Sequence, residues 1–197
     1  RFVATTSSDG VARVWNAQTG AELATLHSNS AQTVRFSPDG SHLLTSGESV
    51  NRVWDSTLWD RAREPGLLGE IRPDRGRVLA IGVSNGGARV FTANDRSWAM
   101  IWDAARGQRR AALQGTPSWI REVEFSRDSA RLITNGGGSD AVLWNANSGA
   151  LLTALGERHS GPFSARFSPD GGEVWAYGQV NGVWETIPDA DQSVYRV

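Results

Sequence analysis

The chain has 197 residues, of which 39% are hydrophobic, and its formal net charge at pH 7 is −1. This length and balance favour one folded domain and argue against a disordered chain or a protein that binds nucleic acid through its overall charge. The sequence contains no cysteine, which excludes disulfides, thiol catalysis and Cys-ligated metals and fits a cytoplasmic location. No apolar run approaches the ~20 residues that span a bilayer.

Five short segments with a central tryptophan recur along the chain. Each has an aliphatic residue before the tryptophan and Asp, Asn or Glu after it: VWN at 14–16, VWD at 53–55, IWD at 101–103, LWN at 143–145 and VWE at 183–185. The tryptophans are 39, 48, 42 and 40 residues apart. Such a period is typical of repeat proteins, in which one unit cannot bury its apolar faces alone and stacks against its neighbours.

A second landmark recurs in phase with the first. Its copies read RFSPDG at 35–40, GVSNGG at 82–87, EFSRDS at 124–129 and RFSPDG at 166–171. The residues between the landmarks alternate between apolar and polar and are interrupted by turn residues about every 8–12 positions, which predicts short antiparallel strands and no helix. Each unit therefore contains three or four strands.

These residues resemble the WD-repeat β-propeller family, and the resemblance covers nearly the whole chain. It implies an all-β fold of about five four-stranded antiparallel blades, with strands a (innermost) to d (outermost) and the tryptophan on strand c. The first blade lacks strand a. The expected blades cover residues 1–28, 29–68, 69–114, 115–156 and 157–197 of a single domain.

The ends of this series leave some points open. Segment 56–76 is longer than usual, so strand d of the second blade is not placed, and SVYRV at 193–197 is either the last strand d or a strand beside the first blade. The chain starts without Met, and the family typically closes with more than five blades, so we expect a fragment of a seven- or eight-bladed ring. The complete absence of Lys suggests a bacterial source.

The resemblance also implies a polar network around the tryptophans. In well-formed blades of the family, a His before strand a, a Ser or Thr on strand b and an Asp in the b–c turn hydrogen-bond with the tryptophan. Matched residue by residue, the expected network comprises Ser7, Asp9, Trp15, His27, Ser46, Glu48, Trp54, Trp102, Trp144 and Trp184.

One pentapeptide, GVSNG at 82–86, matches the G-x-S-x-G pattern of the nucleophile elbow in lipases and esterases. A true elbow is followed by a helix, whereas the next residues, GARVFTAN, indicate a strand. In the repeat, Ser84 aligns with Ser37 and Ser168 of the SPDG turns. We therefore interpret Ser84 as a turn residue and not as a catalytic serine.

The sequence gives weaker signals for a metal site, a phosphate-binding loop or an anion-binding surface. The three histidines lack the short helical spacing of a zinc site, and NGGGSD at 135–140 lacks the Lys and the helix of a phosphate loop, so no metal or cofactor is expected. Two clusters of arginines could contact phosphates or an acidic peptide, with solvated loops as the alternative. They are Arg106, Arg109 and Arg110, and Arg72, Arg75 and Arg77.

The resemblance places binding on the rim formed by the d–a and b–c loops, where the family commonly holds peptides or protein partners. The rim positions here are Gln32, Arg77, Trp119, Arg121 and Phe163. Trp and Arg are enriched in binding hot spots. We hypothesise that Trp119, Arg121 and Arg77 form a protein-binding patch; the alternative is a Trp119 buried between blades.

Together these observations predict a non-catalytic protein-interaction scaffold whose partner is a protein or peptide. Two alternatives stay open: polyanion binding, to nucleic acid or phosphoinositide, through the arginine clusters, and an enzyme with its site at the channel mouth. The enzyme would need paired carboxylates or a His on strand a, and we expect none there. The resemblance further implies flanking blades or a regulatory domain and a role in signalling.

Overall fold

The computed structural model describes most of the chain. The described residues are 2–27, 31–47, 50–61, 66–72, 77–95, 98–115, 119–136, 141–155, 163–180, 183–186 and 194–196. They form nineteen strands and one short 3₁₀ helix. Alternating apolar and polar residues fit the period of two along a strand, and positive-φ glycines such as Gly40 and Gly171 occupy the turns between strands.

The strands are grouped in chain order into five sheets, here called blades 1 to 5. Blade 1 contains β1 (Phe2–Thr6), β2 (Val11–Asn16) and β3 (Glu22–His27). Blade 2 contains β4 (Thr33–Phe36), β5 (His42–Ser46), β6 (Asn51–Asp55) and β7 (Gly66–Ile71). Blade 3 contains β8 (Val78–Val83), β9 (Arg89–Asn94), β10 (Ala99–Asp103) and β11 (Arg109–Leu113). Blade 4 contains β12 (Ile120–Phe125), β13 (Arg131–Gly136), β14 (Ala141–Asn145) and β15 (Leu151–Leu155). Blade 5 contains β16 (Phe163–Phe167), β17 (Glu173–Val180), β18 (Val183–Thr186) and β19 (Val194–Arg196).

Neighbouring strands within each blade are antiparallel. In blades 2, 3 and 4 the order across the sheet follows the chain, from strand a to strand d, and blade 1 has the order β1-β2-β3, which corresponds to b, c and d. The predicted all-β fold of four-stranded antiparallel blades is therefore confirmed, and the described part of blade 1 has no strand a.

Blade 2 extends further than the sequence predicts. Strand β7 pairs with β6 and continues to Ile71, past the expected blade end at residue 68. The cause is a 3₁₀ helix, Ser56–Arg61, inserted between β6 and β7. Its Trp59 is buried and packs edge-on against Phe2, at 5.7 Å between ring centroids, and Phe36, at 6.1 Å. The insertion thus joins the core between blades 1 and 2.

Blade 5 departs from the repeat. Both β18 and β19 pair with β17, β18 along its second half and β19 along its first half. The terminal strand is therefore neither a strand d nor a neighbour of blade 1, and both predictions for it are wrong. Val180 pairs with Val183, and the two residues between them in the sequence are Asn-Gly. Asn-Gly between two strands is a strong local signal for a two-residue hairpin.

The core is divided among the junctions between blades. Buried apolar residues form four clusters, one for each pair of consecutive blades. Residues that share a cluster across a junction include Val14 and Trp54, Leu44 and Val90, Phe91 and Leu132, and Ile133 and Val174. Each blade is thus stabilised by its neighbours, as expected for a sheet that cannot bury both faces alone.

The innermost strands of blades 3 and 4 approach closely at one glycine. A Cβ added to Gly82 would lie 2.6 Å from Cγ1 of Val123. No side chain larger than hydrogen fits at this point, because the Val123 side chain occupies the space. This contact sets the spacing of the two strands that carry the rim and the central cavity described below.

Candidate functional site

Each of the first four blade tryptophans donates its indole N–H to a threonine on strand b. The nitrogen–oxygen distances are 2.9 Å for Trp15–Thr5, 3.0 Å for Trp54–Thr45, 2.8 Å for Trp102–Thr92 and 2.9 Å for Trp144–Thr134. Each tryptophan is on strand c, and its partner on strand b lies two positions before the threonine. The partner and the threonine therefore point to the same face of strand b. The contact fixes the indole ring against the sheet.

The partners differ from those that the family resemblance implies. The acceptor for Trp54 is Thr45 and not Ser46, and the acceptor for Trp15 is Thr5 and not Ser7. The signal for the threonines is present in the sequence, because a Thr stands nine or ten residues before each of these tryptophans. The family pattern selects Ser46, but Ser46 follows Thr45 directly on β5 and therefore points to the opposite face of that strand.

The remaining members of the expected network lie elsewhere. The Ser7 hydroxyl donates to Asp9, which also binds Arg13 at 2.9 Å, so these residues form a turn separate from Trp15. His27 is exposed at the end of β3, and Glu48 is outside the described residues. Trp184 pairs with Gln179. Within blade 5, the register position of the other tryptophans, opposite Val174, is taken by Tyr195.

The serine of each a–b turn caps that turn. The Ser84 hydroxyl accepts the backbone N–H of Arg89 at 3.0 Å, and Ser168 does the same for Glu173 at 2.9 Å. Ser84 is completely buried, with 0% of its surface exposed. A catalytic serine must present its hydroxyl to substrate next to a base. Ser84 does not, which agrees with its interpretation as a turn residue.

Asp39 links the a–b turns of blades 2 and 3. Its Oδ2 accepts the backbone N–H of Gly86 at 3.0 Å, and its two oxygens also accept hydrogen bonds from Ser37 and Ser41. Burial by itself raises the pKa of Asp39, but these hydrogen bonds outweigh burial and lower the pKa to about 2. The carboxylate is therefore fully ionised at neutral pH and is used for structure.

The expected rim residues lie at the entrances to the strands a. Gln32 precedes β4, Arg77 precedes β8, Trp119 precedes β12, and Phe163 begins β16. Gln32 is tied to the sheet by its backbone, which donates to Ser46 O at 2.8 Å. The side chain of Phe163 is not among those described.

Trp119 is solvent-exposed. Its exposed fraction is 62%, so the alternative of a tryptophan buried between blades does not hold. Its φ is +74°, in the left-handed region where a bulky residue is strained. Exposure and backbone strain together have no explanation in core packing, and both are typical of a binding residue.

Two β-bulges direct further side chains to the same rim. The pairing of β8 with β9 skips Leu79, and the pairing of β12 with β13 skips Arg121. A bulge leaves one residue unpaired and re-aims its side chain. Leu79 and Arg121 are both exposed, on adjacent innermost strands. Trp98, in the b–c turn of blade 3, is 51% exposed and was not anticipated from the sequence.

We call Arg77, Leu79, Trp98, Trp119 and Arg121 the rim patch. Its members come from blades 3 and 4 and combine two exposed indoles, an aliphatic side chain and two guanidinium groups. Within the described part of the chain, neither guanidinium takes part in an ion pair. Such a patch suits an apolar and acidic segment of a partner.

A cavity of ≈ 730 Å³ opens at the opposite end of the innermost strands, beside the a–b turns. The charged and aromatic residues that line it include Arg35, Asp39, Glu124, Arg127, Arg166 and Trp175. The prediction that no strand a carries a pair of carboxylates is wrong. Strand β12 carries Glu122 and Glu124, which are two residues apart and on one face of the strand. Arg166 lies 3.6 Å from Glu122.

Glu124 is the least well solvated charge in this cavity. Burial raises the pKa of Glu124, and the charge of Arg166 and the backbone N–H of Phe167 only partly oppose that rise. Its Oε2 is buried and has no hydrogen-bond partner in the described part of the structure. The two serines nearest to it, Ser126 and Ser168, are buried and engaged in turns. Among the described residues, no hydroxyl group donates a hydrogen bond to this oxygen.

Three of the six arginines in the two clusters form ion pairs within the described part of the chain. Arg106 and Arg110 each lie 3.4 Å from Asp103, and Arg72 lies 2.7 Å from Glu70. Arg75 lies outside the described residues. Cations already paired with carboxylates are less available to phosphate, which weakens the polyanion interpretation.

In the part of the chain that the structure describes, no helix has the length and hydropathy to cross a membrane. No three His, Asp or Glu residues there converge as metal ligands.

Comparison with known proteins identifies one repeat and several relatives. Residues 20–55 match the family model "WD domain, G-beta repeat". The chain is 28% identical to transducin beta-like protein 3 of Rattus norvegicus over 69% of its length, and 30% identical to nuclear distribution protein PAC1 of Arthroderma otae over 80%. It is 25% identical to the serine-threonine kinase receptor-associated protein of Mus musculus over 93%.

The chain spans 18%, 36% and 63% of the length of these three relatives, in that order. All three are eukaryotic, and they give no support to the bacterial source suggested by composition. Together, the matched repeat, the relatives and the four-stranded antiparallel sheets support the WD-repeat family for this chain, with the β-propeller blade as its structural unit.

Proposed function

We propose that this chain is a non-catalytic protein-interaction scaffold and that the rim patch binds a peptide or protein partner. The observation that supports this most directly is Trp119, which is 62% exposed and held at a φ of +74°. An exposed, strained tryptophan persists only where the surrounding structure or a function requires it. Arg121 lies two residues after Trp119, and Trp98, in the b–c turn of blade 3, is 51% exposed.

The composition of the patch defines the chemistry of the partner. Indole rings bury large apolar areas at a low loss of conformational entropy, and guanidinium groups that are not engaged in an ion pair attract carboxylates. The partner is therefore a segment that carries an acidic residue beside an apolar or aromatic one.

An enzymatic role has less support. A cavity with a half-buried carboxyl exists, but the two serines among its described lining residues, Ser126 and Ser168, cap turns. Acid–base catalysis needs a second group within hydrogen-bond reach of the reacting atom. The carboxylate pair of β12 is instead next to Arg166, an arrangement that favours a structural ion pair between blades 4 and 5.

The wider context of the scaffold is part of the same proposal. We place it in the cytoplasm, because the chain has no cysteine, and in a longer parent protein with further blades or a regulatory domain, because the relatives are longer than the chain. The signalling role rests on the same family resemblance.

The test starts from peptides selected for binding to the folded chain from a random displayed library. We expect selected sequences to be rich in acidic and aromatic residues. The double variant Trp119→Ala/Arg121→Ala should weaken their binding about 30-fold or more, the loss expected for a pair of hot-spot residues. Affinities are measured by titration calorimetry at two salt concentrations.

A matched control removes the same residue classes elsewhere on blades 3 and 4. The variant Arg109→Ala/Leu151→Ala truncates two exposed residues of the outermost strands β11 and β15. It should bind the peptides like the unmodified chain. Peptides that bind the rim variant and the unmodified chain equally would contradict the proposal, and so would a library that yields no binder. Preferential binding of heparin, abolished by salt, would favour the polyanion alternative.

A further inference from the structure

One position of strand c is polar in blade 2 and is alanine in blades 1, 3 and 4. It lies three residues before the blade tryptophan and is buried in all four blades. Blade 2 has Asn51 there, with an exposed fraction of 0%, and the equivalent residues are Ala12, Ala99 and Ala141. A larger, polar side chain thus replaces a methyl group in the interior of the protein.

Asn51 faces the junction between blades 2 and 3. It lies two residues before Val53 on β6, so the two side chains are on one face of the strand. Val53 belongs to the apolar cluster that also contains Ile81 and Val90 of blade 3. The amide of Asn51 is therefore enclosed in a junction that is otherwise packed with apolar side chains.

The side-chain amide of Asn51 has no partner in the described part of the chain. Both Oδ1 and Nδ2 are buried, and neither makes a hydrogen bond there. An amide side chain can accept two hydrogen bonds and donate two. Buried polar groups without a partner are rare, because they lose their contacts with water on folding and gain nothing in return. A group other than the described residues therefore has to satisfy this amide.

A second buried asparagine is satisfied by protein atoms alone. Asn135, on strand b of blade 4, pairs with Ala141, the residue equivalent to Asn51. Its Oδ1 accepts the backbone N–H of Ala165 in blade 5 at 2.9 Å, and its Nδ2 donates to the Ala165 carbonyl at 3.1 Å. The neighbouring blade thus supplies both partners for Asn135, whereas no described residue of blade 3 supplies either partner for Asn51.

A third polar atom lies beside the Asn51 amide. Ser46 pairs with Asn51 across β5 and β6, so the two side chains are on the same face of the sheet, with Cβ atoms about 5 Å apart. Ser46 is also buried, with an exposed fraction of 5%. A buried water typically makes about three hydrogen bonds to protein groups. The two amide atoms of Asn51 and the Ser46 hydroxyl provide that number.

We propose that Asn51 and Ser46 hold an ordered water molecule in the junction between blades 2 and 3. The water accepts a hydrogen bond from Asn51 Nδ2 and donates one to Asn51 Oδ1 and one to Ser46 Oγ. The backbone carbonyl of Ser46 accepts the N–H of Gln32 at 2.8 Å, so the water stabilises the residues at the entrance to strand a of blade 2. The site is separate from the rim patch, which lies on blades 3 and 4.

NMR spectroscopy of the whole chain, with its asparagine side chains isotope-labelled, tests the water directly. The Asn51 amide protons are assigned by their loss in Asn51→Ala and should show cross-peaks to a water that exchanges slowly with the solvent. The Asn135 amide is the internal control, since both of its polar atoms bind Ala165, and it should show none. An Asn51 amide without a water cross-peak would overturn the proposal.

The stability of two variants gives an independent measurement. Asn51→Ala introduces the residue of blades 1, 3 and 4, and Asn51→Leu removes both polar atoms while keeping a side chain of similar size. Each variant loses the hydrogen bonds of the water, so the equilibrium constant for unfolding in urea should rise about fivefold or more. An unsatisfied amide would have the opposite effect, since its removal stabilises the fold. Variants at least as stable as the unmodified chain would therefore also overturn the proposal.

Discussion

The indole N–H of Trp102 donates a hydrogen bond of 2.8 Å to the hydroxyl of Thr92, and both side chains are buried. This pair recurs in blades 1, 2 and 4 with the same geometry, but in blade 1 the threonine is exposed. Comparing blades 3 and 1 therefore shows how much this hydrogen bond contributes to stability without and with access to water.

Thr92→Val should lower the free energy of unfolding by about 1–3 kcal/mol, because the buried indole N–H loses its only acceptor while the side-chain volume is kept. Thr5→Val removes the equivalent bond where water can replace it, and should change the stability by less than about 1 kcal/mol. Urea unfolding of both variants gives the comparison. Equal losses in the two blades would show that burial does not determine the strength of this contact.

Gly82→Ala should destabilise the chain by about 1–3 kcal/mol, the usual range for overpacking, because its Cβ would overlap the Val123 side chain. Val123→Ala alone leaves a small void and is also destabilising. The double variant should be more stable than the sum of the two losses predicts, since each change makes room for the other. Strict additivity in thermal melts would contradict the close contact.

Asp39 should make the stability sensitive to acid. Its pKa falls from 3.8 to about 2 on folding, so its contribution is fully present above pH 3.8 and is lost as the pH falls through about 2. Asp39→Asn should therefore be less stable than the unmodified chain at pH 7, and the difference should shrink across this window. Chemical unfolding at pH 7, 4 and 2.5 measures it; a difference independent of pH would refute this assignment.

Glu124 should have the opposite effect to Asp39 on the pH dependence of stability. Burial raises its pKa, so the folded chain holds this proton more tightly than the unfolded one, and stability falls as the pH rises above 4.5. Glu124→Gln should raise the melting temperature at pH 8 and have little effect at pH 4. Glu122→Gln is the comparison: Glu122 is exposed and lies next to Arg166, and its charge contributes only weakly to the raised pKa of Glu124, so its removal should give a smaller gain. An equal gain from Glu124→Gln at both pH values would contradict the role of ionisation.

Local sequence was sufficient to predict the blades. The alternation in segments such as TVRF and VARVWN, and the SPDG turns, act over a few residues, and strand pairing through short connections follows from them. Blade 5 departs from the repeat: Trp184 pairs with Gln179 and not with the second residue of strand b, so the family pattern misplaced it.

The site depended on contacts between residues far apart in the chain. Whether Trp119 was buried or exposed, and whether Glu124 met Arg166, could not be read from sequence, because both follow from how neighbouring blades are spaced and rotated. The sequence by itself determined strands, turns and repeat; the tertiary structure decided which faces remained in contact with water, since burial is a property of the packed neighbours.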